Sequence, residues 1–468
     1  MPAGGSAGIM TAVGDLVDRL FRRLRTLFGR VPAAAVPARG AAVRDLRATV
    51  PARPAVPDLP EGVPDLLLAA CHPNGYVREA AVTALGERDD VTALPVLALR
   101  AADWVPEVRD RARRVCARWL DRAPAEAIAG LAPAALALQA RQEGRWLAQA
   151  VGDVLRDGPP EALAAALASE DRRTRRLAYT TGVRTLDVDH LVHAARTDSD
   201  LPIRVLCAEA AIRSTGDPEV ARRLLTSRTA AVRAEAVRAL AAAGDTGPAV
   251  EALTDRSALV RATAQVALRR AGTDPATRYR ALLADQRPPR PAVIAGLAET
   301  GTRADAALLR PWLAHPSSRG RAETVRALRH LGDTPRDLLL PLLTDEVSSV
   351  TRQVVQSLEG HTLDEHHLRP LLHPPHPLHV QRAAYRLLCA QGVWTRISVD
   401  LELVATPDHA LCGTARSDLG EWLRRDAATT YSVPDGPRAT ELSGLLAEAE
   451  PFLSRESTRS LRFCLNLT

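Results

Sequence analysis

Six of the chain's twelve histidines fall in one stretch, HTLDEHHLRPLLHPPHPLH: His361, His366, His367, His373, His376 and His379. With Asp364 and Glu365 beside them, imidazoles at this density offer the donors that Zn²⁺ or Ni²⁺ takes. The candidate ligands are His373, His376 and His379. A second role competes with metal binding. His72-Pro73 and His315-Pro316 occupy a slot that Asp fills elsewhere in the chain, five residues before a Val-equivalent position, and His373-Pro374 is a similar helix end. There an imidazole faces the negative pole of a helix dipole and the Pro stops the helix. The helix-end role is favoured, so the expectation is no metal and no cofactor.

Arginine supplies the second chemistry. Arg172, Arg173, Arg175 and Arg176 crowd one stretch, and Arg269, Arg270, Arg278, Arg280, Arg287 and Arg290 make another. Such patches attract phosphates or acidic protein segments. Neither has interleaved aromatics or a Gly-rich phosphate loop, so a solvated basic face is favoured over nucleic-acid contact. No G-x-S-x-G or H-E-x-x-H motif occurs in the sequence, and no enzyme is expected. No small-molecule substrate is expected either. The six Trp are spread out, each placed by expectation in packing rather than in an aromatic cage.

Composition narrows the setting. Of 468 residues, 46% are hydrophobic and 25% charged, which is globular. Every basic side chain is Arg, for the sequence contains no Lys. Net charge is +6, distributed unevenly: residues 1–50 hold eight Arg against three Asp, and residues 333–468 hold thirteen Arg against eighteen acids. The field runs from basic to acidic along the chain. The six Cys are scattered without a CxxC pair, which fits a reducing cytosol. No signal peptide and no transmembrane span is expected, and the expected location is cytoplasmic, or peripheral at a membrane.

The elements that position these residues repeat. Asp217–Gly244 and Asp245–Gly272 align without a gap: Leu225 falls on Leu253, Val232 on Val260, Arg233 on Arg261, Leu240 on Leu268 and Gly244 on Gly272. Each unit is a helix, a polar break and a second helix reading V-R-x-x-A-x-x-A-L. One such hairpin cannot bury its apolar stripe alone, so it stacks on copies of itself. Copies recur at VREAAVTAL from Val77, VRDRARRVC from Val108 and IRVLCAEAAI from Ile203. The expected fold is an all-α solenoid superhelix of about twelve hairpins over residues 61–426, with residues 124–155 irregular. A helical cap over 427–468 follows, its start from 429 to 438 read as a loop with a turn at Pro434-Asp435-Gly436.

Residues 1–28 hold an amphipathic helix over 9–28, with Arg19, Arg22, Arg23 and Arg25 on or beside its polar side. A Pro/Ala-rich linker over 29–60 tethers it. Its apolar stripe needs cover from the first repeat, a partner protein or an anionic membrane surface.

The repeat resembles HEAT repeats, in particular the bacterial PBS-lyase-like type. The likeness rests on V-R-x-x-A-x-x-A-L, on Asp103, Asp198, Asp255 and Asp345 five residues before the Val or Ile, and on Pro95 and Pro248 in first helices. The resemblance implies a ladder in which Arg109, Arg204, Arg233 and Arg261 pair with those aspartates. It also implies that second helices line a concave groove, where Arg114, Arg238 and Arg326 would face a bound partner. The resemblance speaks to fold far more than to function; the expected function is a protein-binding scaffold whose basic region prefers acidic partners. Some relatives act on chromophore attachment and others are DNA-alkylation-repair glycosylases, so nucleic-acid binding is the alternative, and a membrane adaptor through residues 9–28 the third.

Overall fold

The computed structural model describes residues 62–285 and 287–466. The helix expected over 9–28 and the linker over 29–60 lie outside the described residues. Those residues contain α- and 3-10 helices and no strand. The chain divides into two compact units, the first ending at Ala236 and the second beginning at Val237. Each is an all-α, solenoid-type stack of helical hairpins.

In the first unit the hairpins run from Val63–Ala69 with Gly75–Glu87 to Pro218–Leu224 with the start of Ala230–Ala242. First helices pack on first helices, as Leu94–Arg100 does on Pro124–Leu138. Second helices pack on second helices, as Gly75–Glu87 does on Pro106–Arg122. The core follows the V-x-x-x-A-x-x-x-L spacing, which puts three small or branched side chains on one helical face. Val108, Ala112 and Cys116 show it, and all three are fully buried. Residues 124–155, which lack the signature, still form a hairpin, with a first helix of 15 residues.

The second unit continues the pattern from Gly247–Ala252 with Ala258–Arg270 onward. Helices end where expected at glycines in the left-handed region. Gly272 has φ +77°, which lets Thr273 N–H reach the Leu268 carbonyl at 2.9 Å and close the last turn. Gly86 is different: it lies inside Gly75–Glu87 against Val115, and Asp89 takes the positive φ instead. The prolines expected in first helices lie there. Pro95 and Pro248 stand in the first turn of their α-helices, where no N–H is needed. Pro311, Pro341 and Pro370 are the ones that interrupt a first helix, converting its second half to 3-10.

One helix, Pro291–Thr300, is buried along Val293 to Ala298. Its Gly296 admits the Tyr279 ring so closely that a Cβ would lie 2.0 Å from Cζ. At the end of the unit, Gly436–Ala449 and Arg455–Cys464 form one more hairpin, packed first helix on first and second on second like the repeats. Asp435 is no turn residue; it caps the helix by accepting the Arg438 N–H at 2.9 Å. Arg369 holds three hairpins together here, donating to Glu402 at 2.7 Å, Ser398 at 2.5 Å and Glu441 at 3.0 Å.

Leu240 is fully buried. Leu240→Ala is expected to cost about 2–5 kcal/mol and Leu240→Asp more, read by chemical denaturation. Because hairpins contact only their neighbours, the Asp variant should melt in several phases by calorimetry. Gly296→Ala should cost about 1–3 kcal/mol through the clash with Tyr279.

Candidate interaction surface

A repeated guanidinium sets the positions of the second helices. Arg78, Arg109, Arg175, Arg204, Arg233, Arg261 and Arg321 each donate from Nη1 to the backbone carbonyl six residues earlier, at 2.8–3.1 Å. The contact closes the loop between the two helices of one hairpin. In three of them the rest of the group reaches the slot carboxylate of the next hairpin, whereas Arg109 meets Glu143 at 3.4 Å and the Arg204 Nε is buried without a hydrogen-bond partner. Arg78 meets Asp103 through Nε at 3.0 Å and Nη2 at 2.9 Å, and Arg321 meets Asp345 at 2.6 and 3.0 Å. Arg175 does the same with Asp198 at 3.3 Å. These are charge-assisted, two-pronged bonds in shielded surroundings, stronger than surface ion pairs.

The slot occupied by Asp or His has its own logic. Asp103, Asp198, Asp255 and Asp345 each accept the backbone N–H two residues on, at 2.7–2.9 Å. Where His stands, Nδ1 is the acceptor: from Asn74 N–H for His72 and from Ser317 N–H for His315, both at 3.0 Å. Ser169 and Ser227 serve with Oγ at 3.2 Å. The slot therefore demands an acceptor that starts the second helix, rather than a partner for the first helix's dipole. With Nδ1 accepting, His315 donates from Nε2 to the Pro289 carbonyl at 3.0 Å.

The histidine stretch follows from this. His379 Nε2 bonds the Asp345 carbonyl at 2.9 Å, and His373 Nε2 bonds Glu402 at 2.7 Å. The His376 carbonyl accepts from Gln381. The three candidate ligands thus have separate contacts and do not converge. Among the described residues, the potential ligands brought together are Cys389, Asp400 and Asp418, which the sequence reading did not single out.

The arginines divide into engaged and uncommitted. Arg175 is a ladder rung, and Arg176 bonds Asp200 at 2.8 and 3.0 Å. Arg280 bonds Asp305 at 2.7 Å, and Arg326 pairs with Glu323 one turn back in its own helix. Arg114, Arg172, Arg173, Arg269 and Arg270 are exposed on second helices; no ion pair engages them among the described residues. Arg238 is exposed as well, whereas Arg278, Arg287 and Arg290 are exposed outside second-helix interiors. Trp104, expected in packing, is 77% exposed with the Arg78 guanidinium 5.7 Å from its ring centre.

Sequence reading also missed rungs made by other carboxylates. Helix Pro291–Thr300 has Ile294 in the Arg position, and from this helix Glu299 receives Arg261 (Nε to Oε2, 3.2 Å) and Gln265 (2.8 Å). On the first-helix side, Arg280 to Asp305 and Arg310 to Asp333 (3.0 Å) make a second series. Their signal is an Arg in a first helix some 23–25 residues before an Asp, visible only once the repeat length is known.

Arg321→Ala should lower stability by about 3 kcal/mol, because it leaves the Asp345 carboxylate largely buried without its cation. The Arg280 hydrogen bonds, with help from Thr302, hold the Asp305 carboxyl down to about 2. A depressed carboxyl stabilises the fold above its unfolded value near 4 and loses that contribution as pH falls through about 2. Asp305→Asn should therefore show its full deficit in urea titrations at pH 7, and the deficit should shrink between pH 4 and 2.

No protein-family model matches this chain, and no curated protein does. Among solved structures the chain is similar to yeast importin-beta (Kap95p), at 13% identity and a TM-score of 0.35. It is similar also to Kap95p in a structure describing its binding to RanGDP, at 11% and 0.38. A third is Kap121p bound to Nup53p, at 12% and 0.34. Each alignment covers 86% of this chain, and the chain spans 66%, 66% and 54% of those proteins respectively.

Proposed function

We propose that this chain is a non-enzymatic HEAT-type scaffold, of the PBS-lyase-like kind, that binds an acidic amphipathic segment of another protein on its second-helix faces. One observation carries the reading. The helix Ala258–Arg270 buries Val260, Ala264 and Leu268 on one side. On the other side Leu259, Ala262, Val266 and Arg270 follow one another at helical spacing, all exposed, with Arg269 beside them. Leu259 is 52% and Val266 45% exposed. An apolar stripe ending in two uncommitted guanidinium groups suits a helix or extended segment that offers both apolar anchors and carboxylates.

The first unit supports the same reading through Arg114 on Pro106–Arg122 and Arg172 and Arg173 on Arg172–Gly182. Unlike the ladder arginines, these are exposed and no ion pair engages them among the described residues. No helix among the described residues is long and apolar enough to cross a membrane.

The test uses the full chain and a panel of labelled amphipathic peptides, acidic and neutral, read by fluorescence anisotropy at two salt concentrations. The acidic peptides should bind more tightly, and the preference should fade with salt. Arg269→Glu with Arg270→Glu should weaken binding roughly tenfold without moving the melting curve. Equal binding of acidic and neutral peptides would overturn the acidic preference. Retention on duplex DNA or anionic vesicles in place of peptide would overturn the protein-scaffold reading.

A further inference from the structure

Three consecutive helices, Leu378–Cys389, Val393–Val404 and Cys412–Arg425, meet around a polar cluster in an otherwise apolar setting. Tyr385 and Cys389 come from the first, Arg396 and Asp400 from the second, Asp418 from the third. Asp400 is fully buried. Its Oδ1 accepts the Tyr385 hydroxyl at 2.7 Å, but its Oδ2 is buried with no hydrogen-bond partner. Asp418 receives Arg396 through Nε at 2.6 Å and Nη2 at 2.7 Å. One carboxylate oxygen from each Asp and the Cys389 sulfur all lie within 4.8 Å of one another. Cys389 and Asp418 are half-buried, so the cluster has a way in from solvent.

An orphaned oxygen in a closed apolar setting needs a reason, since native proteins pair nearly all such atoms. We propose that Cys389, Asp400 and Asp418 bind a divalent transition-metal cation of zinc's chemical class, with Asp400 as the inner ligand. The donor set selects the class. A thiolate excludes magnesium, three donors are too few for calcium, and mixed sulfur and oxygen ligation with an open fourth position suits zinc or cobalt. Arg396 occupies one side of the Asp418 carboxylate, fixing its orientation and leaving each oxygen a second lone pair for the ion.

Coordination forms a metal–sulfur bond at Cys389 and metal–oxygen bonds at Asp400 and Asp418, and a proton held by the thiol or by a carboxyl passes to solvent as its bond to the ion forms.

The experiment titrates metal-stripped, full-length protein with Co²⁺. One equivalent should bind with a thiolate-to-cobalt charge-transfer band in the near ultraviolet. Zn²⁺ should displace the cobalt and raise the melting temperature. Cys389→Ser should lose the charge-transfer band. Asp400→Asn keeps an acceptor for Tyr385 and should fold normally, yet weaken cobalt binding by more than about a hundredfold. Absence of saturable binding in the wild type, or a band that survives in Cys389→Ser, would overturn the proposal. Normal cobalt binding in folded Asp400→Asn would do so as well.

Discussion

The contact on which each unit depends is a guanidinium that serves two hairpins at once. One nitrogen satisfies a loop carbonyl within its own hairpin, six residues back, as Arg321 does at His315. The others reach the carboxylate that starts the second helix of the next hairpin, as Arg321 does at Asp345. A Lys would supply three donors from a single point and would fail to bridge two such sites in a plane. The Lys-free sequence and the ladder thus agree, although an Ala- and Arg-rich composition reflects genome base content as readily as chemistry.

The carboxylate in that contact has a second duty: it caps a helix. Because the capping atom is only required to accept, the slot tolerates Asp, Ser or the Nδ1 of His. That explains why the His72-Pro73 and His315-Pro316 pairs fall in the same place as aspartates. His373 departs by pairing with Glu402, where the hairpin loop is longer.

Hairpins and most closing glycines were legible because each is local: the period of buried Val, Ala and Leu, and a Gly at fixed distance after it. What stayed hidden depends on a neighbouring hairpin. Glu299 enters the ladder from a helix whose arginine position holds Ile294. Asp305 and Asp333 are ordinary helix-start acids until Arg280 and Arg310 are placed across from them. Asp400 reads as one more polar residue in ISVDLELV, and only the packing of three helices shows that it is buried with an unpaired oxygen. The effect of a proline depends on the turn of the helix it occupies: Pro95, eight residues before Asp103, starts a helix, whereas Pro311, four residues before His315, interrupts one.

The rung also has a direction. A hairpin that carries the rung presents a cation to the one that follows and an acceptor to the one before, so the front of one such hairpin is complementary to the back of another. A tandem duplication in the gene, cut at equivalent codons such as those for Asp217 and Asp245, inserts a module whose two ends already match its neighbours. Loss of one module rejoins matching ends in the same way. Arrays built like this change length in whole units without a new interface having to evolve, whereas a cut through Pro291–Thr300 would separate Glu299 from the Arg261 it receives. The near-identical spacing of Asp217–Gly244 and Asp245–Gly272 is the mark such an event leaves.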